Sequence, residues 1–314
     1  QGTLSYKFGS IQAVAISPDK KYFATGDNNG DIQLWQTDKR QKIITLTDHN
    51  HCIHSLAFSP DSCLLASGSG DDTFRLWDIQ NRQCVNVFKE HNSVVWVVTF
   101  SSDGRFIASG SDDHTIRLWD VNTYQCLRVL EAHTDKVRSL SFSPDDQLLV
   151  SGSRNTEIKL WNLGTHECVH EFNGHVGNIW SLAFSPSGQL FASGSEGATI
   201  RLWDIKTKRC LHVFSDHSEA ISSLALSSDG QLLISSSGDI TVRLWDCLKR
   251  QCSHVLSSYT DTIWSLDLSP DGQLVVSSGI DGIVRLWDLQ TRQCISTLTG
   301  HTSWVNSVTF SPNG

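Results

Sequence analysis

The stretch "RFIASGSDDHTIRLWD" (105–120) decides the fold, because variants of it return at a constant interval along all 314 residues. Its tryptophan is one of seven that are spaced 42 residues apart, without insertion or deletion. The seven are Trp35, Trp77, Trp119, Trp161, Trp203, Trp245 and Trp287. A fixed period of this length indicates one supersecondary unit copied in tandem, in which each copy buries its apolar face against its neighbours.

Each repeat is predicted to contain four short strands. In the copy around Trp119, the apolar and β-branched segments are VVWVVTF (94–100), FIASGS (106–111), IRLWD (116–120) and QCLRVL (125–130). Turn-forming residues separate them, as in SSDG (101–104) and DDHT (112–115). Strands of this length with such turns indicate a small antiparallel sheet.

The turn between the first and second strands holds every proline of the chain. These are Pro18, Pro60, Pro144, Pro186, Pro270 and Pro312, and the two remaining copies have Ser102 and Ser228. Proline suits the second position of a type I or type II turn, because its ring presets the required φ angle. The pattern predicts the same turn in every repeat.

The repeats resemble those of WD-repeat β-propellers, over essentially the whole chain. The Trp-Asp pair that names the family stands at 77–78, 119–120, 203–204, 245–246 and 287–288, and it changes to Trp35-Gln36 and Trp161-Asn162. The resemblance implies an all-β fold, a seven-bladed propeller of four-stranded antiparallel blades over residues 1–292. Residues 293–314 would be the last outer strand and the first strand of an eighth repeat, cut from a longer array.

Two segments compete for the outer edge of the last blade. They are "TLSYKF" (3–8) and "QCISTL" (293–298). The simplest account closes the ring with residues 3–8 and starts a second ring near residue 293. The alternative is an eight-bladed ring that lacks its second and third strands.

Composition excludes several classes of function. The formal charge of −8 argues against a general phosphate-binding surface, so we expect no nucleic-acid partner. No long apolar run marks a membrane span or a signal peptide, so we expect a cytoplasmic protein with no membrane partner. Six of the nine cysteines recur at one position of the repeat, namely Cys84, Cys126, Cys168, Cys210, Cys252 and Cys294. Their spacing suits neither disulfides nor a metal site, and we expect reduced thiols, no metal and no cofactor.

A histidine, a serine and an aspartate recur at fixed spacing, and His91, Ser109 and Asp113 could pass for a hydrolase triad. The same positions return in other repeats, which an enzyme with one active site does not require. The family resemblance instead implies a structural hydrogen-bond network that includes the marker tryptophan, so we predict no enzymatic activity. Three repeats carry the full set: His49, Ser67, Asp71 and Trp77; His91, Ser109, Asp113 and Trp119; His217, Ser235, Asp239 and Trp245.

The first strand of each repeat breaks its apolar alternation. Val95 and Val98 are three residues apart where two is the strand period, which indicates a β-bulge at Trp96. The bulge residue would point to the face of the ring that carries the histidine and the turn aspartate, called here the upper face. The equivalent positions are Gln12, His54, Trp96, Arg138, Trp180, Ser222 and Trp264.

In WD-repeat proteins these and neighbouring positions resemble the binding residues of the upper face. We therefore predict a partner-binding surface made of His54, Trp96, Asp112, Lys136, Arg138, Arg154, Trp180, Glu196, Trp264 and Ile280. Tryptophan and arginine are typical anchors of protein interfaces. The alternative is that each tryptophan only packs on its neighbour across the channel mouth.

The opening "FGSIQAVAISPDKKYFATGDNNGDIQLWQ" (8–36) resembles the start of the propeller array in cyanobacterial signal-transduction ATPases. In that family the array follows an NB-ARC nucleotide-binding module. The resemblance implies a non-catalytic platform for a protein or peptide, acting as the sensor of a larger signalling protein. A freestanding adapter and an enzyme with an active site at the channel mouth are the other two hypotheses.

Overall fold

The computed structural model describes residues 10–131, 133–301 and 303–311. This part of the chain forms 28 strands and no helix, and consecutive strands assemble four at a time into seven antiparallel sheets. Each sheet is one blade of the propeller, with its strands in chain order from the inside of the ring to the outside. The predicted all-β, seven-bladed propeller is confirmed.

The first four blades follow the repeat closely. Blade 1 is β1 (Ile11–Ile16), β2 (Tyr22–Asp27), β3 (Ile32–Gln36) and β4 (Gln41–Leu46). Blade 2 is β5 (Ile53–Phe58), β6 (Leu64–Ser69), β7 (Phe74–Asp78) and β8 (Gln83–Phe88). Blade 3 is β9 (Val95–Phe100), β10 (Phe106–Ser111), β11 (Thr115–Asp120) and β12 (Cys126–Glu131). Blade 4 is β13 (Val137–Phe142), β14 (Leu148–Ser153), β15 (Ile158–Asn162) and β16 (Glu167–Phe172).

The remaining three blades keep the same lengths. Blade 5 is β17 (Ile179–Phe184), β18 (Leu190–Ser195), β19 (Ile200–Asp204) and β20 (Arg209–Phe214). Blade 6 is β21 (Ile221–Leu226), β22 (Leu232–Ser237), β23 (Val242–Asp246) and β24 (Gln251–Leu256). Blade 7 is β25 (Ile263–Leu268), β26 (Leu274–Gly279), β27 (Val284–Asp288) and β28 (Gln293–Leu298).

The marker tryptophans form the core between blades. Trp119 of blade 3 is fully buried and packs with Ala66, Leu76 and Phe88 of blade 2. Trp161 of blade 4 repeats the contact against blade 3. Blades 2 to 7 therefore each bury an apolar face on the blade before them, which is why the tryptophan recurs with the repeat.

The innermost strands carry the predicted bulges. In blade 3, Val95 pairs with Ser111 and Val97 with Gly110, which leaves Trp96 as the extra residue. The same register shift occurs in all seven blades, at the positions expected from the sequence. The upper face is built from these bulges, the loops that precede them and the turns between the second and third strands.

The end of the described chain lies beside blade 1. The outer edge of β27 pairs with β28, so residues 293–298 complete blade 7 instead of starting a second ring. The next residues run alongside the inner strand β25, where Val308 N donates to Ser265 Oγ at 3.1 Å, and Ser303 Oγ lies 3.2 Å from Ser10 Oγ of blade 1. Residues 303–311 therefore take an eighth inner position. The predicted strand over residues 3–8 and the turn proline Pro312 lie outside the described residues.

Candidate interaction surface

The histidine network has the predicted structural connections. In blade 2, Trp77 Nε1 donates to Ser67 Oγ at 2.8 Å, His49 Nε2 lies 2.8 Å from the same oxygen, and His49 Nδ1 lies 2.7 Å from Asp71 Oδ2. A carboxylate only accepts, so Nδ1 carries the proton and Nε2 accepts from the serine hydroxyl. The chain of donors thus runs from tryptophan to serine, histidine and aspartate within one blade.

Blades 3 and 6 contain the same connections. His91 bonds Ser109 and Asp113 at 2.8 Å each, and His217 bonds Ser235 and Asp239 at 2.7 Å each. Trp119 and Trp245 donate to those serines at 2.9 and 2.8 Å. Burial favours the neutral carboxyl, but the hydrogen bonds from histidine and threonine outweigh it and hold the pKa of Asp71, Asp113 and Asp239 far below its usual range. Every member is buried or half-buried and paired, as structural networks require.

Two blades keep the histidine without the aspartate. His133 Nε2 bonds Ser151 at 2.7 Å, but its Nδ1 lies 3.4 Å from Glu157 without hydrogen-bond geometry. His175 Nε2 bonds Ser193 at 2.6 Å, and its Nδ1 lies 3.1 Å from Thr199 Oγ1. Burial, followed by a nearby Lys or Arg charge, lowers the pKa of each of these histidines to about 3.

The upper face carries a continuous row of stacked bulge side chains. The His54 ring lies 4.0 Å from the Trp96 ring, the Arg138 guanidinium lies 3.4 Å from the centre of the same tryptophan, and Trp180 follows 5.9 Å from that guanidinium. These four residues come from blades 2, 3, 4 and 5. Burial, and then the charge of Arg138, lower the pKa of His54 to about 4. Its ring is therefore uncharged at neutral pH and stacks on Trp96 without repelling Arg138.

Asp112 anchors the basic end of this row. Its carboxylate lies 2.6 Å from Lys136 Nζ and 3.7 Å from an Arg138 Nη2 atom. Burial lowers the pKa of Arg138 to about 10, which leaves the guanidinium charged at neutral pH. Arg154 lies on the turn between β14 and β15, is exposed, and forms no ion pair with a carboxylate of the described residues. The patch therefore presents one unpaired cation to solvent.

A small cleft continues the row beyond Trp180. Its walls are Trp180 of blade 5 and Trp264 of blade 7, and Ser222 of blade 6 lies between them. The Ser222 hydroxyl donates to Ile263 O at 2.6 Å, so the small side chain is held to the backbone and the space above it stays open. The cleft measures about 100 Å³, and Trp264 is 39% exposed.

The remaining predicted residues lie on the same face but outside the row. Glu196 is exposed on the turn after β18 and accepts a hydrogen bond from Asn178 N at 3.2 Å. Ile280 lies on the equivalent turn of blade 7. Trp96 packs between its neighbours, as the alternative hypothesis expected, whereas Trp264 stands partly free. Whether these ten residues bind a partner stays a prediction.

Sequence reasoning missed an eighth bulge residue. Asn306 occupies the slot that follows Trp264 at the interval of the repeat, and its Nδ2 donates to Gln12 Oε1 at 2.6 Å. This hydrogen bond connects the bulge residue near the end of the described chain to the bulge residue of blade 1. The 42-residue period applied once more would have identified it.

Three further features of the described residues concern metal ligands, membrane spans and cysteines. Residues 10–131, 133–301 and 303–311 bring no three metal-ligating side chains together. Within the same ranges, no helix has the length and apolarity needed to cross a bilayer. All nine cysteines are free thiols.

Two protein families match the chain. Residues 154–314 match the IFT122 first beta-propeller, and residues 2–36, 40–78, 82–120 and 124–162 match the WD domain, G-beta repeat. The chain is also 42% identical over 47 residues to the uncharacterised WD repeat-containing protein alr3466 of Nostoc sp. (strain PCC 7120). That alignment spans 15% of this chain and only 3% of the relative's length. The chain belongs to the WD-repeat β-propeller family, whose members typically serve as platforms for protein interaction.

Proposed function

We propose that this chain is a non-catalytic platform that binds a protein or peptide on its upper face. The observation that carries the proposal is the row of His54, Trp96, Arg138 and Trp180, which ends at the cleft between Trp180 and Trp264. Tryptophan and arginine supply much of the binding energy in protein interfaces, above all near well-packed pockets.

The stacking supports binding because it orders the surface in advance. Trp96 and Arg138 are held by ring contacts and by the ion pair with Asp112 before any partner arrives. A side chain that is already immobile loses little conformational entropy on association, so more of its contact energy appears as affinity.

The cleft and its surroundings favour a partner with a particular chemistry. The walls of Trp180, Ile221 and Trp264 suit one apolar side chain, and the exposed Arg154 suits a carboxylate. The partner we propose is therefore a protein segment that presents an apolar residue together with an acidic residue.

The test is selection of a displayed random peptide library on the intact chain, followed by affinity measurement on variants. The double variant Trp180→Ala, Trp264→Ala should weaken the selected peptides by at least about thirtyfold, the loss typical of an aromatic anchor pair. Leu248→Ala is the matched control, because Leu248 is exposed on the turn between β23 and β24, at the opposite face. Peptides that bind the double variant as well as the unmodified chain would overturn the proposal.

We extend the proposal to the signalling context. The platform would be the cytoplasmic sensor of a larger protein that carries an NB-ARC-type ATPase module. The support is the resemblance of residues 8–36 to the start of the propeller array in cyanobacterial signal-transduction ATPases. An antibody raised against residues 1–314 should then detect a native polypeptide far larger than 34.9 kDa in source-cell extract. A band near that mass would leave a freestanding adapter instead.

A further inference from the structure

The charge of the upper face changes sign at Trp180. On the blade 4 side, Lys136, Arg138 and Arg154 are basic, and the Arg138 guanidinium lies 5.9 Å from the Trp180 ring. On the other side, no lysine or arginine occurs in the loops and turns that blades 5, 6 and 7 contribute to this face. Those segments are residues 173–178, 196–199, 215–220, 238–241, 257–262 and 280–283. Their carboxylates are Glu196, Asp216, Glu219, Asp239, Asp261 and Asp281.

Some of these carboxylates are bound within their own blades, and others are free to meet a partner. Asp239 belongs to the histidine network, and Asp281 Oδ2 lies 2.7 Å from Arg285 Nη1. Glu219 and Asp261 are exposed, and neither forms an ion pair with another described residue. The negative charge of these two residues is therefore available at the surface.

Glu219 and Asp261 flank the cleft between Trp180 and Trp264. Each directly precedes a residue that lines the cleft, Ala220 in blade 6 and Thr262 in blade 7. Asp261 Oδ1 accepts a hydrogen bond from Thr262 N at 2.7 Å, which holds this carboxylate beside the cleft. Both acidic residues therefore belong to the rim of the cleft, on the side away from blade 4.

We propose that the partner segment carries a lysine or arginine beside its apolar residue, and that this cation contacts Glu219 and Asp261. The proposal rests on the proposed function, because it concerns the same segment and the same cleft. The acidic residue of the segment contacts Arg154, on the opposite side of the apolar residue. The surface therefore selects segments in which residues of opposite charge flank one apolar residue.

Charge complementarity makes this partner more specific than a general apolar segment. Exposed ion pairs add little to affinity, but a like charge placed against a charged rim is repelled, so the two ends of the surface discriminate between partners. A segment with two acidic flanks would meet Glu219 and Asp261, and a segment with two basic flanks would meet Arg154. The aliphatic stem of a lysine or arginine can also lie along Trp264, which is 39% exposed.

The probe is a displayed library of nonapeptides with leucine fixed at the central position and all other positions random. It is selected on the intact chain. Compared with the unselected library, the bound clones should be enriched in lysine or arginine on one side of the leucine and in aspartate or glutamate on the other. Bound clones without enrichment of lysine or arginine would overturn the proposal.

Variants of the rim locate the effect. Glu219→Gln combined with Asp261→Asn should abolish the basic enrichment and weaken an enriched synthetic peptide about fivefold, the loss expected for two exposed ion pairs. The control combines Asp38→Asn with Glu167→Gln, which removes the same two charges from exposed residues near the opposite face and should change neither result. Equal effects of the two double variants would show that only net charge matters, and would refute the proposal.

Reversal of the rim charge gives a second readout. Selection on the Glu219→Lys, Asp261→Lys variant should favour aspartate or glutamate on the side of the leucine that was basic before. An unchanged preference for lysine or arginine would mean that the cation contacts other residues, and the proposal would be wrong.

Failure of this proposal can be told from failure of the proposed function. Clones that lose binding to the Trp180→Ala, Trp264→Ala variant but show no basic preference overturn only the present proposal. Clones that bind that variant as well as the unmodified chain overturn both. If the unmodified chain sediments as a dimer and the tryptophan variant as a monomer, a second copy occupies the cleft, which also overturns the proposal.

Discussion

Buried polar side chains decide local stability in this protein at the scale of single residues. Ser109, His91 and Asp113 are enclosed by the blade, so each hydrogen bond that is lost leaves a partner that water cannot satisfy. The blades around His133 and His175 show the consequence of losing the aspartate, because their histidines keep only the serine bond and, for His175, a threonine contact.

Replacing Asp113 tests the network. Asp113→Ala removes the acceptor of His91 Nδ1, of Asn92 N and of Thr115 N and Oγ1. We expect the free energy of unfolding to fall by about 1–3 kcal/mol, the cost of leaving buried donors without a partner. Chemical denaturation measures this free energy of unfolding. Asp216→Ala, at an exposed aspartate, is the control, and an unchanged midpoint for Asp113→Ala would contradict the structural role of the network.

The two histidines without an aspartate predict a specific pH dependence. Their pKa in the folded chain is about 3, below the ordinary value of 6.5, so the unfolded chain takes up protons first as the pH falls. The stability that these two neutral histidines contribute is fully present above pH 6.5 and is lost as the pH falls from there toward 3. Within that window, each histidine should lower the free energy of unfolding by about 1.4 kcal/mol per pH unit.

The check is the slope of unfolding free energy against pH between 6 and 4, compared for the unmodified chain and His133→Gln. The variant should show a slope lower by about 1.4 kcal/mol per pH unit, whatever its absolute stability. Identical slopes would mean that His133 titrates normally in the folded chain.

At the scale of elements, the turn between the first two strands is held by the same serine–aspartate pair in six of the seven blades, and blade 5 has Ser185 and Ser187 instead. Ser59 accepts a hydrogen bond from Leu64 N at 2.9 Å and donates to Asp61 at 2.5 Å. Ser227 repeats both contacts with Leu232 and Asp229, at 2.9 and 2.5 Å, although Ser228 stands where the proline is. The turn is thus held by its serine and aspartate, and proline only restricts the unfolded chain.

Installing the missing proline should stabilise one turn and not the other. Ser228→Pro should raise the free energy of unfolding by about 0.5–1 kcal/mol, because no hydrogen bond from Ser228 N to another described residue is lost. Ser102→Pro is the matched comparison, since Ser102 N donates to Asp146 Oδ1 at 2.8 Å and that bond would be removed. Equal gains at both positions, measured by thermal unfolding, would show that the bond to Asp146 contributes nothing.

At the scale of the whole molecule, apolar packing holds together the six junctions between consecutive blades. The junctions share one arrangement, in which a tryptophan such as Trp119 enters the face of the preceding blade. At the two ends of the series, Trp35 of blade 1 is half-buried and Leu298 of blade 7 is 60% exposed.

Sequence alone determined the strands, the turns, the bulges and the histidine network. These are local properties of one repeat. Because seven copies share one period, a feature such as the three-residue step from Val95 to Val98 can be distinguished from a chance pattern. Departures from the repeat can be read in the same way, because each falls on a fixed position. Asn155 stands where three other copies have the network aspartate, and Tyr259 stands where other copies have the histidine.

Only the tertiary structure decided how copies meet. The sandwich of Trp96 between His54 and Arg138, the ion pairs of Asp112 and the cleft between Trp180 and Trp264 join residues of different blades. Their distances depend on the spacing and rotation between neighbouring sheets, which no single repeat encodes. The same holds for the outer edge of blade 7: residues 3–8 were the simpler expectation from the sequence, and strand pairing in space assigned this edge to β28.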